Sequence, residues 1–339
     1  MRRKRSAVTI LDVAKAAGVS VSTVSRVLNG KVDVAVDTQE KVQDIIDQLG
    51  YTTNLAARSM RGSKTNLIGL IMPDVAYPFA IEVMKGVNEA VAASESDLLI
   101  YTTGDVRKYE TALHQQKYVT LLNNSITDGV IVVAPVAAEF TTDAPLVSID
   151  PAMIDPSYPS IHATNYQGAL DAMHYLLQLG HRRIGHISGR PELQSSVRRL
   201  MGYRAALDQA GVAIDESLIA AGDYTTETAA RCARSLLERV DRPTAIFAAN
   251  DQSAIGVIQV ANKMGLKIPD DLSVVGFDNI PEAAYFDLTT VDQFVAKMAF
   301  TATKMLFSLI DGQKLEEKIA KMPTKLIVRG SCREFSAAV

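Results

Sequence analysis

A chain of 339 residues exceeds one hydrophobic core, so two or three compact units are expected. With 47% hydrophobic and 22% charged residues it is neither disordered nor membrane-embedded. The longest apolar runs, such as LIGLIM at 67–72, are strand-sized, far below the roughly 20 residues a membrane helix needs. The amino terminus is basic but lacks an apolar secretory segment, because Asp12 and Lys15 interrupt it, and Cys232 and Cys332 offer no disulfide framework. A cytoplasmic protein is expected. The net charge of −3 hides an asymmetry: residues 1–62 hold ten Lys or Arg against six acids, a net +4, which leaves −7 for the rest. A basic head on an acidic body points to a polyanion as the head's partner.

In chain order, Thr9 and Asp12 form a capping-box-like start to a helix over ILDVAKAA, whose Ile10, Val13, Ala14 and Ala17 share one face. Gly18 suits a left-handed end, and Ser20 suits the cap of a second helix, VSTVSRVLN. There Val24, Val27 and Leu28 face inward, and Val21, Ser22, Ser25 and Arg26 form a short polar outer face. Two short helices joined by a glycine turn are the helix-turn-helix pattern, whose second helix enters the major groove. Asp37 and Glu40 read as the capping box of a third helix with Val42, Ile45, Ile46 and Leu49 inward and Gly50 at its end. The segment Asn54–Met60 is helix-prone but too short to be stable alone.

From residue 66 the pattern alternates strand and helix: NLIGLIMP, a helix over FAIEVMKGVNEAVAAS, DLLIYTT, a helix over 107–123, then GVIVVAP, PLVSID and SIHAT. RIGHISG, LIAAGD, TAIFAAN and LSVVGFD, with helices between, make a second series. Such alternation predicts parallel sheets covered on both faces. No P-loop, dinucleotide fingerprint or nucleophile elbow occurs, GHISG at 185–189 having the wrong spacing. His114, His162, His174, His181 and His186 show no metal-binding spacing. No enzyme, metal or cofactor is expected.

The run TILDVAKAAGVSVSTVSRVLNG, the third helix and GYTTNLAARSMRG together resemble the lactose-repressor/galactose-repressor (LacI/GalR) family of bacterial transcription regulators. The resemblance implies a helix-turn-helix head over 1–62, with a hinge helix at 54–60, and an α/β periplasmic-binding-protein-like body over 63–339. The body would comprise two parallel-sheet lobes, about 66–162 with 294–322 and about 163–290 with 325–335. Val21, Ser22 and Arg26 would contact bases, Arg26 above all, while Thr9, Ser20, Ser25 and Asn29 would hold phosphates. Arg58 belongs to the same DNA-binding set. Met60 would insert into the minor groove, where the family more often has Leu.

In the body, ligands are expected at the carboxyl ends of strands, in a cleft between the lobes. By the same resemblance, Arg199 and Asp278 are the favoured effector contacts. Phe79, Asp150, Tyr224 and Asn250 could contact the effector, or pack and cap helices, whereas Asp251 and Asn279 read as caps. The expected effector is a carbohydrate, with a purine as the alternative, and the partners are a pseudo-palindromic DNA operator and a second copy of the chain. No heptad tail follows TKLIVRG, which favours a dimer over a tetramer. A solute-binding protein for transport is the rival reading; it would share the two-lobed body but lack the head.

Overall fold

The computed structural model describes residues 8–28, 33–51, 64–104, 111–123 and 126–335. The chain divides into two units, Met1–Thr65 and Asn66–Val339.

The first unit contains α1 (Ile10–Ala17), α2 (Val21–Leu28) and α3 (Val36–Leu49). At α1, the Asp12 carboxylate accepts from the Thr9 amide at 2.8 Å, and the Asp12 amide donates back to Thr9 Oγ1 at 3.4 Å, closing the expected capping box. Gly18 ends the helix at φ 67°, a conformation that penalises any side chain with a Cβ. Ser20 Oγ accepts from the Thr23 amide at 3.1 Å and starts α2. Val13, Ala14, Ala17, Val24, Val42 and Ile46, drawn from all three helices, form the core.

Two details of α3 differ from the sequence reading. The helix begins one residue before Asp37, with Ala35 at the cap position: its carbonyl accepts from the Thr38 and Gln39 amides, but its methyl group has no acceptor to cap them with. Asp37 therefore sits inside the first turn, where its charge meets the positive end of the helix rather than closing a box. Leu49 is 38% exposed, since Ile46 already fills the inner position one turn earlier.

The second unit holds two parallel sheets. The larger has the order β11-β5-β4-β3-β1-β2, formed by β1 (Leu67–Met72), β2 (Asp97–Thr102), β3 (Gly129–Val133), β4 (Leu146–Ile149), β5 (Ser160–Ala163) and β11 (Ile319–Met322). The smaller has the order β7-β6-β8-β9, from β6 (Ile184–Ile187), β7 (Ile219–Ala220), β8 (Ala245–Ala248) and β9 (Ser273–Val275).

Side-chain alternation divides each sheet between two cores. In β1, Ile68, Leu70 and Met72 face α4 (Pro78–Ala92) and α11 (Val295–Ile310), while Ile71 joins Val119 and Leu122 of α5 (Thr111–Asn123). In β8, Ile246 and Ala248 meet α8 (Thr226–Leu237) and α9 (Asp251–Lys263), while Ala245 and Phe247 meet α6 (Asn165–Gln178) and α7 (Gln194–Gln209). The short α10 (Pro281–Tyr285) adds Ala283 to the first of these two cores. Each fully buried Leu or Ile contributes about 1.5–3 kcal/mol relative to exposure. Helices α4 and α11 approach so closely that a Cβ on Gly86 would lie 1.9 Å from the Ala296 carbonyl oxygen.

The chain crosses between the sheets three times. It passes from β5 into α6, from β10 (Thr290–Asp292) into α11, and from β11 into β12 (Lys325–Ile327). The first and third crossings are tied together, because the Thr324 amide donates to Thr164 Oγ1 at 2.9 Å. Strands β10 and β12 pair antiparallel as a two-stranded ribbon. This ribbon meets the smaller sheet through bridges from Val275 to Thr289 and from Asp278 to Asp292.

Candidate functional site

The carboxyl ends of the strands from both sheets converge on one cleft of about 1060 Å³, open mouth included. Phe79, Asp150, Arg199, Tyr224, Asn250 and Asp278 all line it. Four lining residues that end strands or follow them, Ala134, Asp150, Tyr224 and Asp278, have left-handed backbones at φ 45°, 50°, 72° and 110°. Non-glycine residues reach that region at a cost, and they gather where a chain must turn a side chain toward a ligand. The Tyr224 ring lies over Gly189, where an added Cβ would come within 2.1 Å of the ring. Only glycine leaves room for that aromatic face.

Arg199 is the pillar of the cleft. It is 3% exposed and carried by α7, and its Nε donates to Asn165 Oδ1 at 2.8 Å, its Nη1 to the Ala249 carbonyl. Nη1 also lies 3.3 Å from Asp278 Oδ1, and the guanidinium stacks 3.7 Å above the Phe277 ring. Nη2 makes no hydrogen bond among the described residues. Gln293, which follows β10, donates to the same Asp278 oxygen at 2.7 Å. Asp278 Oδ2 is left with no hydrogen bond among the described residues, so Nη2 and Oδ2 remain as a donor and an acceptor in the lining. Burial, offset in part by Arg199, pushes the Asp278 carboxyl up to about 6. Burial likewise raises Asp150, against the attraction of Arg199 and His162.

Asn250 has a structural use: its Oδ1 accepts from the Ser253 amide at 2.9 Å as the cap of α9, and its Nδ2 donates to the Tyr224 carbonyl at 3.2 Å. Asp251 is fully buried and accepts from the Ile280 amide and the Thr290 hydroxyl. Asn279 pairs with Asp292 and Arg329. These two residues are structural. Gln293 and Ser195, which also line the cleft, were missed by sequence reasoning, because neither ends a recognisable strand. The one available signal for Gln293 was its place within the crossing from β10 to α11.

In the first unit, Ser22 and Arg26 stand exposed on α2, and Ser25 is partly buried. Val21 is also partly buried and packs against the core, so only part of its side chain is presented outward. Ser20 Oγ lies 2.7 Å from Ser22 Oγ, and Thr9 Oγ1 donates to Asp12 at 2.7 Å, both hydroxyls being engaged locally. The Thr9 hydroxyl holds the Asp12 carboxyl below its ordinary range. Asn29, Arg58, Met60 and the expected hinge helix at 54–60 lie outside the described residues. Among the described residues no helix is long and apolar enough to cross a membrane, and no cluster of ligands could hold a metal ion.

A capped helix-turn-helix in one unit and a strand-end cleft between two parallel sheets in the other define a ligand-sensing DNA-binding regulator. Residues 9–54 match the bacterial regulatory proteins of the lacI family, and residues 173–332 match the periplasmic binding protein-like domain. The HTH-type transcriptional regulator DegA of Bacillus subtilis (strain 168) is 35% identical over 343 residues, covering 95% of this chain and 97% of DegA. The HTH-type transcriptional repressor PurR of Photobacterium profundum is 33% identical over 338 residues, covering 97% of this chain and 99% of that repressor. Among solved structures, the transcriptional regulator CelR–cellobiose complex has a TM-score of 0.70 at 29% identity, covering 96% of this chain and 99% of that one. The chain belongs to the LacI family of bacterial regulatory proteins, and it is a DNA-binding transcription regulator rather than an enzyme.

Proposed function

We propose that this regulator is a cytoplasmic repressor that binds a pseudo-palindromic operator as a homodimer and is controlled by a carbohydrate held in the cleft. The observation that carries the effector assignment is the Arg199–Asp278 ion pair, Nη1 to Oδ1 at 3.3 Å, which leaves Nη2 and Oδ2 without hydrogen bonds among the described residues, in a lining shared with Asp150, Phe79 and Tyr224. A donor next to an acceptor suits neighbouring sugar hydroxyls, and aromatic faces suit the apolar side of a sugar ring. In the lining, Asp74, Asp150, Asp223 and Asp278 face only two guanidiniums, those of Arg190 and Arg199, which disfavours an anionic ligand. Likeness to a regulator solved with cellobiose supports the same reading. On the DNA side, Arg26 reads a base, with Val21 and Ser22 beside it, while Thr9, Ser20, Ser25 and Asn29 hold phosphates. Met60 serves the minor groove, and Arg58 belongs to the same DNA-binding set.

A purine is the second reading, favoured by the identity with a repressor named PurR and by the aromatic faces. Thermal-shift measurement against a panel of mono- and disaccharides and free nucleobases separates the two. A ligand at 100 times its Kd stabilises by about 2.7 kcal/mol. Shifts with nucleobases and none with sugars would overturn the carbohydrate assignment.

A further inference from the structure

The reading face of α2 carries an anionic neighbour that repulsion from DNA would disfavour. Asp33, in the turn before α3, places Oδ2 3.2 Å from Nη1 of Arg26, and the two side chains are 55% and 60% exposed. Exposed ion pairs add little to stability, so the fold does not need this one. A carboxylate beside the guanidinium that meets a polyanion also weakens general affinity.

We propose that Asp33 is a positioning residue for base reading, one that trades general DNA affinity for discrimination at the base Arg26 contacts. This rests on the assignment of Arg26 as a base reader. A guanidinium has five N–H donors in a rigid fork, and guanine recognition uses two of them in parallel against O6 and N7. With Nη1 held by Asp33, the edge formed by Nε and Nη2 is left to meet the base. Fixing the side chain beforehand also reduces the rotamer freedom lost on binding. A free arginine could instead swing to a nearby phosphate, which adds affinity and no sequence information.

The test uses the full chain as wild type, Asp33→Asn, Asp33→Glu and Arg26→Ala. Each is subjected to selection from a random-sequence duplex DNA library, then to competition between the selected site and the same site with the Arg26-dependent guanine replaced. Arg26→Ala is expected to erase one guanine preference in each half-site. Asp33→Asn is expected to keep that guanine but lower discrimination there about fivefold or more, the lower end of what a bidentate arginine supplies. The same variant binds mixed-sequence DNA more tightly at low salt, and Asp33→Glu retains wild-type discrimination. Unchanged discrimination in Asp33→Asn, with the guanine preference lost in Arg26→Ala, overturns the role of Asp33 and leaves Arg26 as reader. If Arg26→Ala leaves every preference intact, the base-reading assignment itself fails, and the role of Asp33 with it.

Discussion

Arg199 and Asp278 are buried together, and removing one strands the other. Arg199→Ala leaves the Asp278 carboxylate without its cation, a change that typically costs about 3–5 kcal/mol. Urea denaturation is expected to show that loss together with loss of the effector's thermal shift. Asp150→Asn separates the two effects. It removes a carboxylate that burial already disfavours, so stability holds or rises while the effector response weakens. Equal loss of stability in both variants would count against Asp150 as a ligand contact.

His186 tests linkage to pH. It is fully buried, stacked on Tyr203 and Phe247, and its Nδ1–H donates to the Phe247 carbonyl at 2.9 Å. Burial lowers its pKa from 6.5 to about 4, so the folded protein holds it neutral over a range where the unfolded chain takes up a proton. Its contribution is therefore present above pH 6.5 and is lost as pH falls toward 4, about 2 kcal/mol between pH 7 and pH 5. Asp278 works in the opposite direction: raised to about 6, it makes the fold more stable as pH falls through that value. His186→Phe keeps the stack and removes the acid-side loss, so denaturation at pH 7 and pH 5 should differ less than in the wild type by about that amount.

At the scale of elements, caps and close approaches set the stability of single helices. Thr9→Ala opens the capping box of α1 and should cost about 1 kcal/mol, read as faster amide exchange confined to the first unit. Gly86→Ala forces a methyl group into the α4–α11 contact and should cost about 1–3 kcal/mol in thermal or urea unfolding of the body. The elements themselves were largely legible, because continuous apolar runs and glycine or serine boundaries reflect local chemistry that one sequence carries. The cap of α3 was not: Asp37 and Glu40 have the right spacing, and the choice of Ala35 instead depends on where the preceding turn delivers the backbone. In the cleft, strand-end positions drew attention to Asp150, Asn250 and Asp278, yet the sequence could not show that the Asn250 amide is engaged in a cap and in the Tyr224 carbonyl. Nor could it show Gln293 meeting Asp278 from a crossing segment, or Asp33 meeting Arg26, since both pairs are made by chain turns rather than by periodicity.

For the whole molecule, the division at Thr65 predicts separable activities. A chain lacking residues 1–62 should lose operator binding in a gel-shift assay while keeping its thermal response to the effector. Operator binding that survives truncation would refute the placement of the DNA reader in the head. The three crossings also set an order of events as the chain leaves the ribosome. The larger sheet starts with β1 at Leu67, yet its β11 edge and the inner face of α11 come from residues 295–322. All four strands of the smaller sheet have emerged by Val275. The sheet begun first is thus closed last, holding apolar strands open through more than half of synthesis, and nascent chains stalled before residue 295 should be the ones that most engage chaperones.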